Sequence, residues 1–571
     1  MKKSTKVFGI DLGTTYSAVS YVDAMGRAVL IPNAENSQTT PSVVWFDEDR
    51  VVVGEEAKET AKVDPLNVCS FVKRSMGDDS FYAEFGGRRY LPEEISSFIL
   101  RKLVQDASNA LGEEIRDVVI TCPAYFFVKE RNATRRAGEL AGLNVLQIVN
   151  EPTAAAVSYG FSGDDLEKTV LVYDLGGGTF DVTAIKFSKG SVDVICTDGD
   201  HRLGGKDWDD RLVHMIAERF CEATGCVDDP IESEEAGADL FLEAEKLKKR
   251  LSSREKDSAR FTWQGDSARI EITRKEFESS TADLLERTVE FAQNVEKLAL
   301  EKGARIDELV LVGGSSNMPA VARRLREAFR LEPKIYEPHE AVAKGAAIIG
   351  NNLALQKILA DKIRKRRRST DLTLDDASDA DLYAVAAETG YSLATIKRAK
   401  TKVCNVASKS FGVALIWDES QYDAYMERIA SNSEEFDLFA PDNGERVSNL
   451  IFKNTPLPAT KELISCTYYD RQTSLDHCIC ENLADEVASQ HGVPLKESNL
   501  LRQSSFSLPK GLPKGAPIRH IFELTVEGLL TATIIEPSQG WKETVKIETG
   551  SVQSEVEKRF QEKRCAELIV E

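Results

Sequence analysis

Two short segments of the chain combine an aspartate with glycines and threonines in the same order. They are 11–15 (DLGTT) and 174–179 (DLGGGT). Each follows an apolar run, at 7–10 and 170–173, so each is predicted to be a strand that ends in a tight glycine turn with outward-facing amides. Such a turn binds phosphate, and two copies indicate one nucleotide held between two related halves of the chain.

Phosphate chemistry explains these residue types. Glycine lets the backbone approach triphosphate oxygens, threonine hydroxyls add donors, and the aspartates Asp11 and Asp174 can hold the water shell of a magnesium ion. Either copy alone also fits an ordinary turn, so it is the presence of both that favours a nucleotide site. The residues predicted to bind phosphate and magnesium are Asp11, Gly13, Thr14, Thr15, Tyr16, Asp174, Gly177, Gly178 and Thr179.

Length and charge limit the function without defining it. The 571 residues suit about three or four domains. A formal net charge of -20 argues against general nucleic-acid binding, and the basic run at 362–368 is more typical of a helix end or linker. Without an apolar run long enough for a signal peptide or a membrane span, the expected location is the cytoplasm, with no membrane partner.

Ten cysteines are scattered along the chain and form no CxxC pair, so neither a zinc ribbon nor a thioredoxin-like centre is indicated. Cys478 and Cys480 are predicted to lie on one face of a strand, where buried free thiols are the simplest interpretation.

Together with the two glycine turns, residues 119–160 resemble the DnaK-type seventy-kilodalton heat-shock protein chaperones. The resemblance covers 5–352 densely and 403–550 more thinly. Further matching segments, in the family's order, are 73–77 (KRSMG), 199–207 (GDHRLGGKD), 245–252 (EKLKKRLS), 309–315 (LVLVGGS) and 340–347 (EAVAKGAA).

The resemblance implies an α/β actin-like ATPase domain of two duplicated lobes, followed by a β-sandwich peptide-binding domain. The expected boundaries are 1–355 for the ATPase domain, 356–402 for an expanded interdomain linker and 403–550 for the β-sandwich. Residues 551–571 are then a short C-terminal helix, a truncated remnant of the family's lid. An insertion at 417–445 enlarges the connection between the first two strands of the sandwich.

The resemblance also implies roles at the phosphate end of the site. Lys73 is expected to reach the transferring phosphate, while carboxylates order magnesium waters and orient the attacking water. Asp200 is the candidate for positioning that water. The predicted catalytic residues are Asp11, Lys73, Glu151, Asp174, Asp200 and Asp207.

For the adenosine, the resemblance implies that a helical face and the glycine segment 313–315 surround sugar and base. Without the resemblance, the helical face at 245–252 fits an ordinary charged surface. Asn317 stands where the family usually has an arginine over the base, and loss of that planar cation is expected to weaken base stacking by about 1 kcal/mol. His339 stands where the family has an acidic residue. The predicted residues are Glu245, Lys248, Lys249, Ser252, Gly313, Gly314, Ser315, Asn317 and His339. Gly204 and Gly205, also predicted to bind the nucleotide, are expected to free the backbone near Asp200 and the phosphate.

Pro123 and Arg131 match the proline and arginine through which the family relays peptide binding to the ATPase cleft, although a stiff turn also fits Pro123. The missing lid predicts a clamp that exchanges peptide rapidly even with ADP bound.

The function implied is that of an ATP-dependent molecular chaperone of the heat-shock protein 70 family, an ATPase acting in protein folding and the stress response. Its cofactors are ATP/ADP and Mg²⁺, and its partners are unfolded or extended polypeptide, a J-domain co-chaperone and a nucleotide exchange factor. The alternative is a non-hydrolysing, nucleotide-gated adaptor for one dedicated protein. The segments 199–207 and 245–252 argue against an actin-like filament or a sugar kinase.

Overall fold

The computed structural model describes residues 1–48, 50–78, 80–160, 167–367, 376–416, 445–490, 492–526, 528–547 and 555–571. All but the last residue of the predicted insertion at 417–445 lies outside the described residues. Contacts divide the chain into two units. Unit 1 comprises Met1–Phe126, Glu130–Val403 and Gln553–Glu571, and unit 2 comprises Phe127–Lys129 and Cys404–Val552.

The strands of the first part of unit 1 are β1 Lys2–Lys3, β2 Phe8–Asp11, β3 Tyr16–Val22, β4 Ala28–Leu30, β5 Thr40–Pro41, β6 Val44–Asp47, β7 Arg50–Val53, β8 Val68–Cys69, β9 Ala83–Phe85, β10 Arg88–Tyr90, β11 Glu113–Glu114, β12 Asp117–Cys122 and β13 Asn144–Asn150. Those that follow are β14 Lys168–Leu175, β15 Phe180–Ser188, β16 Ser191–Asp200, β17 Lys256–Trp263, β18 Asp266–Thr273, β19 Glu308–Val312, β20 Pro333–Ile335 and β21 Lys402–Cys404.

The helices are α1 Glu55–Thr60, α2 Pro92–Leu111, α3 Val128–Leu140, α4 Glu151–Gly160, α5 Gly205–Thr224, α6 Glu234–Leu251, α7 Arg274–Ser280, α8 Ala282–Glu301, α9 Pro319–Phe329, α10 Ala341–Arg367, α11 Asp379–Thr389, α12 Leu393–Arg398 and α13 Glu555–Glu567.

Two mixed sheets form the centre of unit 1, and their strands follow the same order. In the first sheet, β2 is flanked on one side by antiparallel β3 and then β4, and on the other by parallel β12 and then β13. In the second sheet, β14 occupies the place of β2, with antiparallel β15 and β16 on one side and parallel β19 and β20 on the other. In both sheets, a strand carrying the aspartate of a glycine turn therefore lies in the interior.

Residues 356–403, predicted to be a linker up to 402, lie with unit 1. The 27-residue helix α10 passes through position 355 without a break. Leu355, Leu359 and Ile363, four residues apart, form one apolar face that packs against Leu382 of α11 and Ile396 of α12. This small helical cluster buries its own apolar residues, and the basic run at 362–367 lies at the end of α10.

The C-terminal segment also lies with unit 1. Strand β31, Ile569–Val570, pairs in parallel with β7, and the Arg101 guanidinium of α2 donates a hydrogen bond to the Leu568 carbonyl at 3.1 Å. Helix α13 contacts α2 through Arg564, which forms an ion pair with the fully buried Glu94. The described part of the predicted lid remnant is thus built into unit 1, while rapid peptide exchange stays a prediction.

Unit 2 is built from two antiparallel sheets. Its strands are β22 Ser410–Ile416, β23 Glu445–Ile451, β24 Ala459–Cys466, β25 Ser474–Asn482, β26 Val493–Pro494, β27 Asn499–Ser507, β28 Pro517–Leu524, β29 Leu530–Glu536 and β30 Trp541–Lys546. One sheet has the order β26-β23-β22-β25-β27 and the other β24-β28-β29-β30. Phe411 and Ile479 of the first sheet share one apolar core with Phe522 and Ala532 of the second.

A buried pair of histidines lies in unit 2. The rings of His477 on β25 and His520 on β28 stack at 5.2 Å with an angle of 6° between their planes, and the Ser465 hydroxyl lies 2.8 Å from His520 Nε2. Burial lowers the pKa of His477 to about 3, with a further contribution from His520, and burial lowers the pKa of His520 to about 4. Both rings are therefore neutral in the folded protein at pH 7.

We expect acid to destabilise unit 2 through these two rings. The folded pKa values lie below the unfolded value of about 6.5. The contribution of these histidines to the stability of unit 2 is therefore fully present above pH 6.5 and is lost as the pH falls. At pH 5.5 each histidine lowers the free energy of unfolding by about 1.4 kcal/mol relative to its value at pH 7.5. Amide hydrogen exchange in β25 and β28 measures this loss, and His477→Phe should remove about half of it. An exchange free energy in these strands that does not change with pH would contradict the expectation.

The cysteines differ from the prediction in one respect. Cys221 and Cys226, five residues apart across the end of α5, form a disulfide. The spacing is not CxxC and the pairing depends on the turn at Gly225, whose φ is 77°, so the sequence carries no motif for this disulfide. Neither Cys478 nor Cys480 is in a disulfide, and the predicted burial is confirmed for Cys480, whereas Cys478 is half-buried.

Candidate functional site

The two glycine turns meet at the ends of corresponding strands. Asp11 ends β2, and Asp174 is the next-to-last residue of β14. A Cβ atom on Gly178 would lie 2.3 Å from the methyl group of Thr14, and one on Gly177 would lie 2.2 Å from the hydroxyl of Thr15. Gly177 and Gly178 are thus required because the second turn packs closely against the threonines of the first.

A cavity of about 340 Å³ lies beside these turns, and we refer to it as the main cavity. It joins the predicted phosphate end to the predicted adenosine end. Of the predicted site residues, its walls include Asp11, Gly13, Thr14, Thr15, Tyr16, Lys73, Glu151, Asp174, Gly177, Thr179, Glu245, Lys248, Lys249, Ser252, Gly313, Gly314, Ser315, Asn317 and His339.

Lys73 and three carboxylates gather at the phosphate end. The Lys73 ammonium forms a buried ion pair with Glu151, which begins α4 directly after β13, and the Thr121 hydroxyl donates to Asp11 Oδ1 at 3.2 Å. Burial and the charge of Glu151 raise the pKa of Asp11 to about 7, and the same two causes raise that of Asp174 well above its ordinary value. Burial lowers the pKa of Lys73, but the Glu151 and Asp11 carboxylates outweigh it, so the net shift is upward.

Burial is the main cause of the raised pKa values of Asp11 and Asp174, the charge of Glu151 adds to it, and Lys73 opposes it. One lysine faces three carboxyl groups, and a divalent cation would stabilise their ionised forms. Among the described residues, no group of three or more histidine, cysteine or acidic side chains is arranged to hold a metal. Asp11 and Asp174, the two carboxylates predicted to hold magnesium through water, both line the main cavity at this end.

Five predicted residues do not line the main cavity: Asp200, Asp207, Gly178, Gly204 and Gly205. Asp207 caps the start of α5, accepting the Gly204 amide at 2.7 Å, and forms an ion pair with Arg74 at 2.6 Å. Asp200 pairs with Arg287 and accepts the Arg202 amide at 2.8 Å. Both carboxylates are thus engaged with the protein itself.

Two further residues, Asp181 and Arg74, lie at the phosphate end although the sequence predicts no role for them. Asp181 lies opposite Asp174 in the antiparallel pair β14 and β15, and burial with the Glu151 charge raises its pKa to about 7. Arg74 donates to the Gly178 carbonyl at 2.8 Å as well as binding Asp207. Asp181 could have been found from the sequence, because it is an aspartate inside the apolar strand that follows the second turn. Arg74 could not, because its partners are distant in the sequence.

At the adenosine end, the predicted helical face is already linked across the cavity. Glu245 of α6 forms ion pairs with Lys58 of α1 and with Lys249, the latter at 2.8 Å, and the Tyr16 hydroxyl lies within 3.2 Å of Glu245. Burial alone would raise the pKa of Glu245, yet these two lysines lower it to about 2. Lys248 pairs instead with the buried Asp209 at 2.6 Å, and all four predicted residues of this helix line the main cavity.

Asn317 and His339, which depart from the family pattern, differ in what they contribute. The Asn317 side chain donates back to the Gly314 carbonyl at 3.0 Å and is exposed. The His339 ring lies on Gly314, where a Cβ atom would come within 2.7 Å of its Cε1. Burial lowers the pKa of His339, as does the Lys249 charge, against the opposing charge of Glu340, so the ring is neutral at pH 7.

Arg131 connects α3 to the residue before Glu151. Its guanidinium donates to the Asn150 side chain and, at 3.4 Å, to the Ala124 carbonyl, one residue after Pro123. The predicted relay through Pro123 and Arg131 stays a prediction.

Comparison with known proteins agrees with this geometry. The family model described as Hsp70 protein matches residues 7–84 and 78–414. Chaperone protein DnaK of Thermotoga petrophila is 45% identical over 359 residues, covering 61% of this chain and 59% of that protein. DnaK of Thermotoga maritima has the same identity and coverage. DnaK of Halobacterium salinarum is 34% identical over 557 residues, covering 96% of this chain and 76% of that protein.

The chain belongs to the Hsp70 family, which confirms the resemblance inferred from its motifs. It is a mixed α/β protein, as the fold class predicted, and no helix among the described residues is long and apolar enough to cross a membrane. The match to the two Thermotoga proteins spans about three fifths of their length.

Proposed function

We propose that the chain is an ATP-driven molecular chaperone, in which unit 1 hydrolyses ATP and unit 2 binds and releases extended apolar polypeptide. The observation that carries the proposal is the convergence of two facing glycine turns on one main cavity that also holds Lys73, Glu151, Asp11 and Asp174. Membership of the Hsp70 family supports it.

In this proposal, unit 1 is an actin-like ATPase of two duplicated lobes, one around each central sheet. The repeated strand order supports the duplication. The amides and hydroxyls of the two turns bind the phosphates, and Asp11 and Asp174 hold the magnesium ion through water. Magnesium, when bound, supplies charge neutralisation for the phosphate oxygens.

The residues of the chain then have distinct tasks at the phosphate end. The Lys73 ammonium is fixed by Glu151 and Asp11 and stabilises negative charge that develops on the leaving phosphate. Asp200 is the proposed residue for positioning the attacking water, and Glu151, which lines the main cavity, is proposed to order magnesium waters with Asp11 and Asp174. Asp200 and Asp207, with their protein partners, hold the segment between β16 and α5 in place.

Unit 2 is proposed to be the peptide-binding β-sandwich. Its two antiparallel sheets and shared apolar core support this assignment, because an extended peptide can satisfy its backbone on such a sheet. A J-domain co-chaperone and a nucleotide exchange factor are the proposed partners, and the cytoplasm is the proposed location.

A single-turnover experiment tests the proposal. The purified chain is mixed with ATP and magnesium while ADP formation and the fluorescence of a labelled apolar peptide are followed together. We expect hydrolysis, and a peptide release rate that rises when ATP binds. Tight ATP binding without hydrolysis, or hydrolysis with no effect on any of a panel of apolar peptides, would overturn the coupled cycle.

We expect His339 to support the adenine base in place of the arginine that is missing at position 317. Replacing His339 with alanine removes a planar ring and should weaken ADP binding about three- to tenfold, in line with about 0.5–1.5 kcal/mol for an aromatic contact. His339→Phe should retain the affinity. Titration calorimetry with ADP measures the effect, and Asn317→Ala is the control because its side chain bonds the backbone. If Asn317→Ala lost more ADP affinity than His339→Ala, His339 would not be the residue that supports the adenine base.

A further inference from the structure

A second cavity of about 200 Å³ adjoins the main cavity, and we refer to it as the side cavity. The two cavities share Thr14, Thr15 and Glu245 as lining residues. One wall of the side cavity comes from the segment around α1 and β8, and the other from α6. The first glycine turn and α6 therefore border both cavities, whereas the described α1 and β8 segment borders the side cavity alone among the two.

The lining of the side cavity is mainly apolar. Val43, Val68 and Phe71 contribute to one wall, and Phe241 and Leu242 to the other. The Phe71 and Phe241 rings meet edge to face at 5.2 Å and 79°. Phe71 has a φ of 60°, a left-handed conformation that is uncommon for a bulky residue, and this conformation accompanies its ring contact with α6.

The charged groups at the edge of the side cavity neutralise each other. Lys58 and Glu245 both line it and form an ion pair, and the Tyr16 hydroxyl also contacts Lys58 at 2.8 Å. Lys206 lies 5.5 Å from the Phe71 ring centroid and 5.7 Å from that of Phe241, and is itself paired with Asp210. The side cavity thus offers no unmatched charge to a ligand.

We propose that the side cavity binds a neutral aromatic molecule of one or two fused rings. An apolar cavity of about 150 Å³ accepts benzene, so about 200 Å³ accommodates a slightly larger ring system. Aromatic rings in the wall favour edge-to-face contact with such a ligand. A carboxylate or an ammonium on the ligand would lose its hydration without gaining a partner.

The same geometry assigns a regulatory effect to this ligand, which rests on the proposed nucleotide binding. A molecule that contacts both Phe71 and Phe241 ties the α1 and β8 segment to α6. Glu245 of α6 lines both cavities and is held to α1 by its ion pair with Lys58, so separation of α1 from α6 widens the main cavity beside Glu245 and opens the path by which nucleotide leaves. A bound aromatic molecule therefore slows nucleotide release.

Indole is the probe for a direct binding test on the full chain without nucleotide. We expect a dissociation constant below about 1 mM from titration calorimetry, with intermolecular NMR contacts to the methyl groups of Val43, Val68 and Leu242. Benzoate and tryptamine, which carry a charge, should bind at least tenfold more weakly. Indole contacts elsewhere on the chain, or equal binding of all three probes, would overturn the proposal.

A matched pair of variants tests the position of the site. Ala238 lines the side cavity on α6 and is only half-buried, so Ala238→Phe fills the cavity while Ala238→Ser leaves it open. We expect Ala238→Phe to weaken indole binding at least tenfold and Ala238→Ser to change it less than twofold. If Ala238→Phe folds poorly, the NMR contacts between indole and the unmodified chain still test the position of the site.

Release of fluorescent ADP tests the regulatory effect separately. Saturating indole should slow release at least threefold in the unmodified chain and have no effect in Ala238→Phe. Faster release, or competition between indole and ADP, would overturn the regulatory effect. If the chain bound no nucleotide at all, the proposed function and the regulatory effect would both fail, while the calorimetry and NMR contacts would still decide on the side cavity itself.

Discussion

Replacing Lys73 with alanine is expected to lower the single-turnover rate of ATP hydrolysis by a factor of about 10²–10³, the usual cost of removing one fixed group that stabilises a transition state. Lys73 is 6% exposed and is the cation that counters Glu151 and Asp11 at the phosphate end. The effect should appear in the rate at saturating ATP and magnesium. A rapid-quench measurement of ADP formation checks it.

Lys256→Ala is the control for this variant, since the Lys256 side chain is 64% exposed and forms a surface ion pair with the exposed Glu271 on the neighbouring strand. The hydrolysis rate of Lys256→Ala should stay within about twofold of that of the unmodified chain, because surface ion pairs contribute little energy. The Lys73→Ala variant should still bind ATP, because the glycine turns and threonine hydroxyls are unchanged. A hydrolysis rate within tenfold of the unmodified chain would remove Lys73 from the catalytic residues.

The phosphate end of the site could be predicted because its signals are local. A strand, an aspartate and a glycine turn are adjacent in the sequence, and the duplication of this pattern at 11–15 and 174–179 reports on the repeated topology. Lys73 and Glu151 followed from longer segments that resemble the family. All of these residues lie on the wall of the main cavity.

The placement of Asp200 and Asp207 could not be predicted in the same way. Both are in a segment that matches the family closely, yet what decides their surroundings is Arg287 on α8 and Arg74 before α2. Those partners are 87 and 133 residues away in the sequence. A motif predicts which residue types occur in a segment, but the carboxylate's partner depends on tertiary contacts.

The C-terminal segment gave even less local signal. Residues 555–567 are rich in charge, which is compatible with a free surface helix, and β31 contributes only two residues. Its position depends on pairing with β7, more than 500 residues earlier, and on the buried partner that Arg564 finds in Glu94. Neither contact leaves a periodic pattern in the sequence.

Arg564→Met is therefore expected to loosen the C-terminal segment strongly. Glu94 has no exposed surface, and its other described hydrogen-bond donors are the Leu91 amide at 2.9 Å and the weakly donating Cys565 thiol at 3.9 Å. Removing one partner of a buried ion pair costs about 3–5 kcal/mol, because the other charge stays buried without compensation. Amide hydrogen exchange at Val53 measures the loss, because that amide donates to the Glu571 carbonyl at 2.9 Å when β31 is docked.

Two further variants separate the buried charge from the rest of the contact. Glu562→Gln on the same helix removes a half-exposed partner of Arg136 and should cost no more than about 1 kcal/mol. Combining Arg564→Met with Glu94→Gln removes the uncompensated charge and should recover most of the protection at Val53. If Arg564→Met left exchange at Val53 unchanged, the ion pair would not hold β31 on β7, and the short strand pairing together with the half-buried Arg101 would have to suffice.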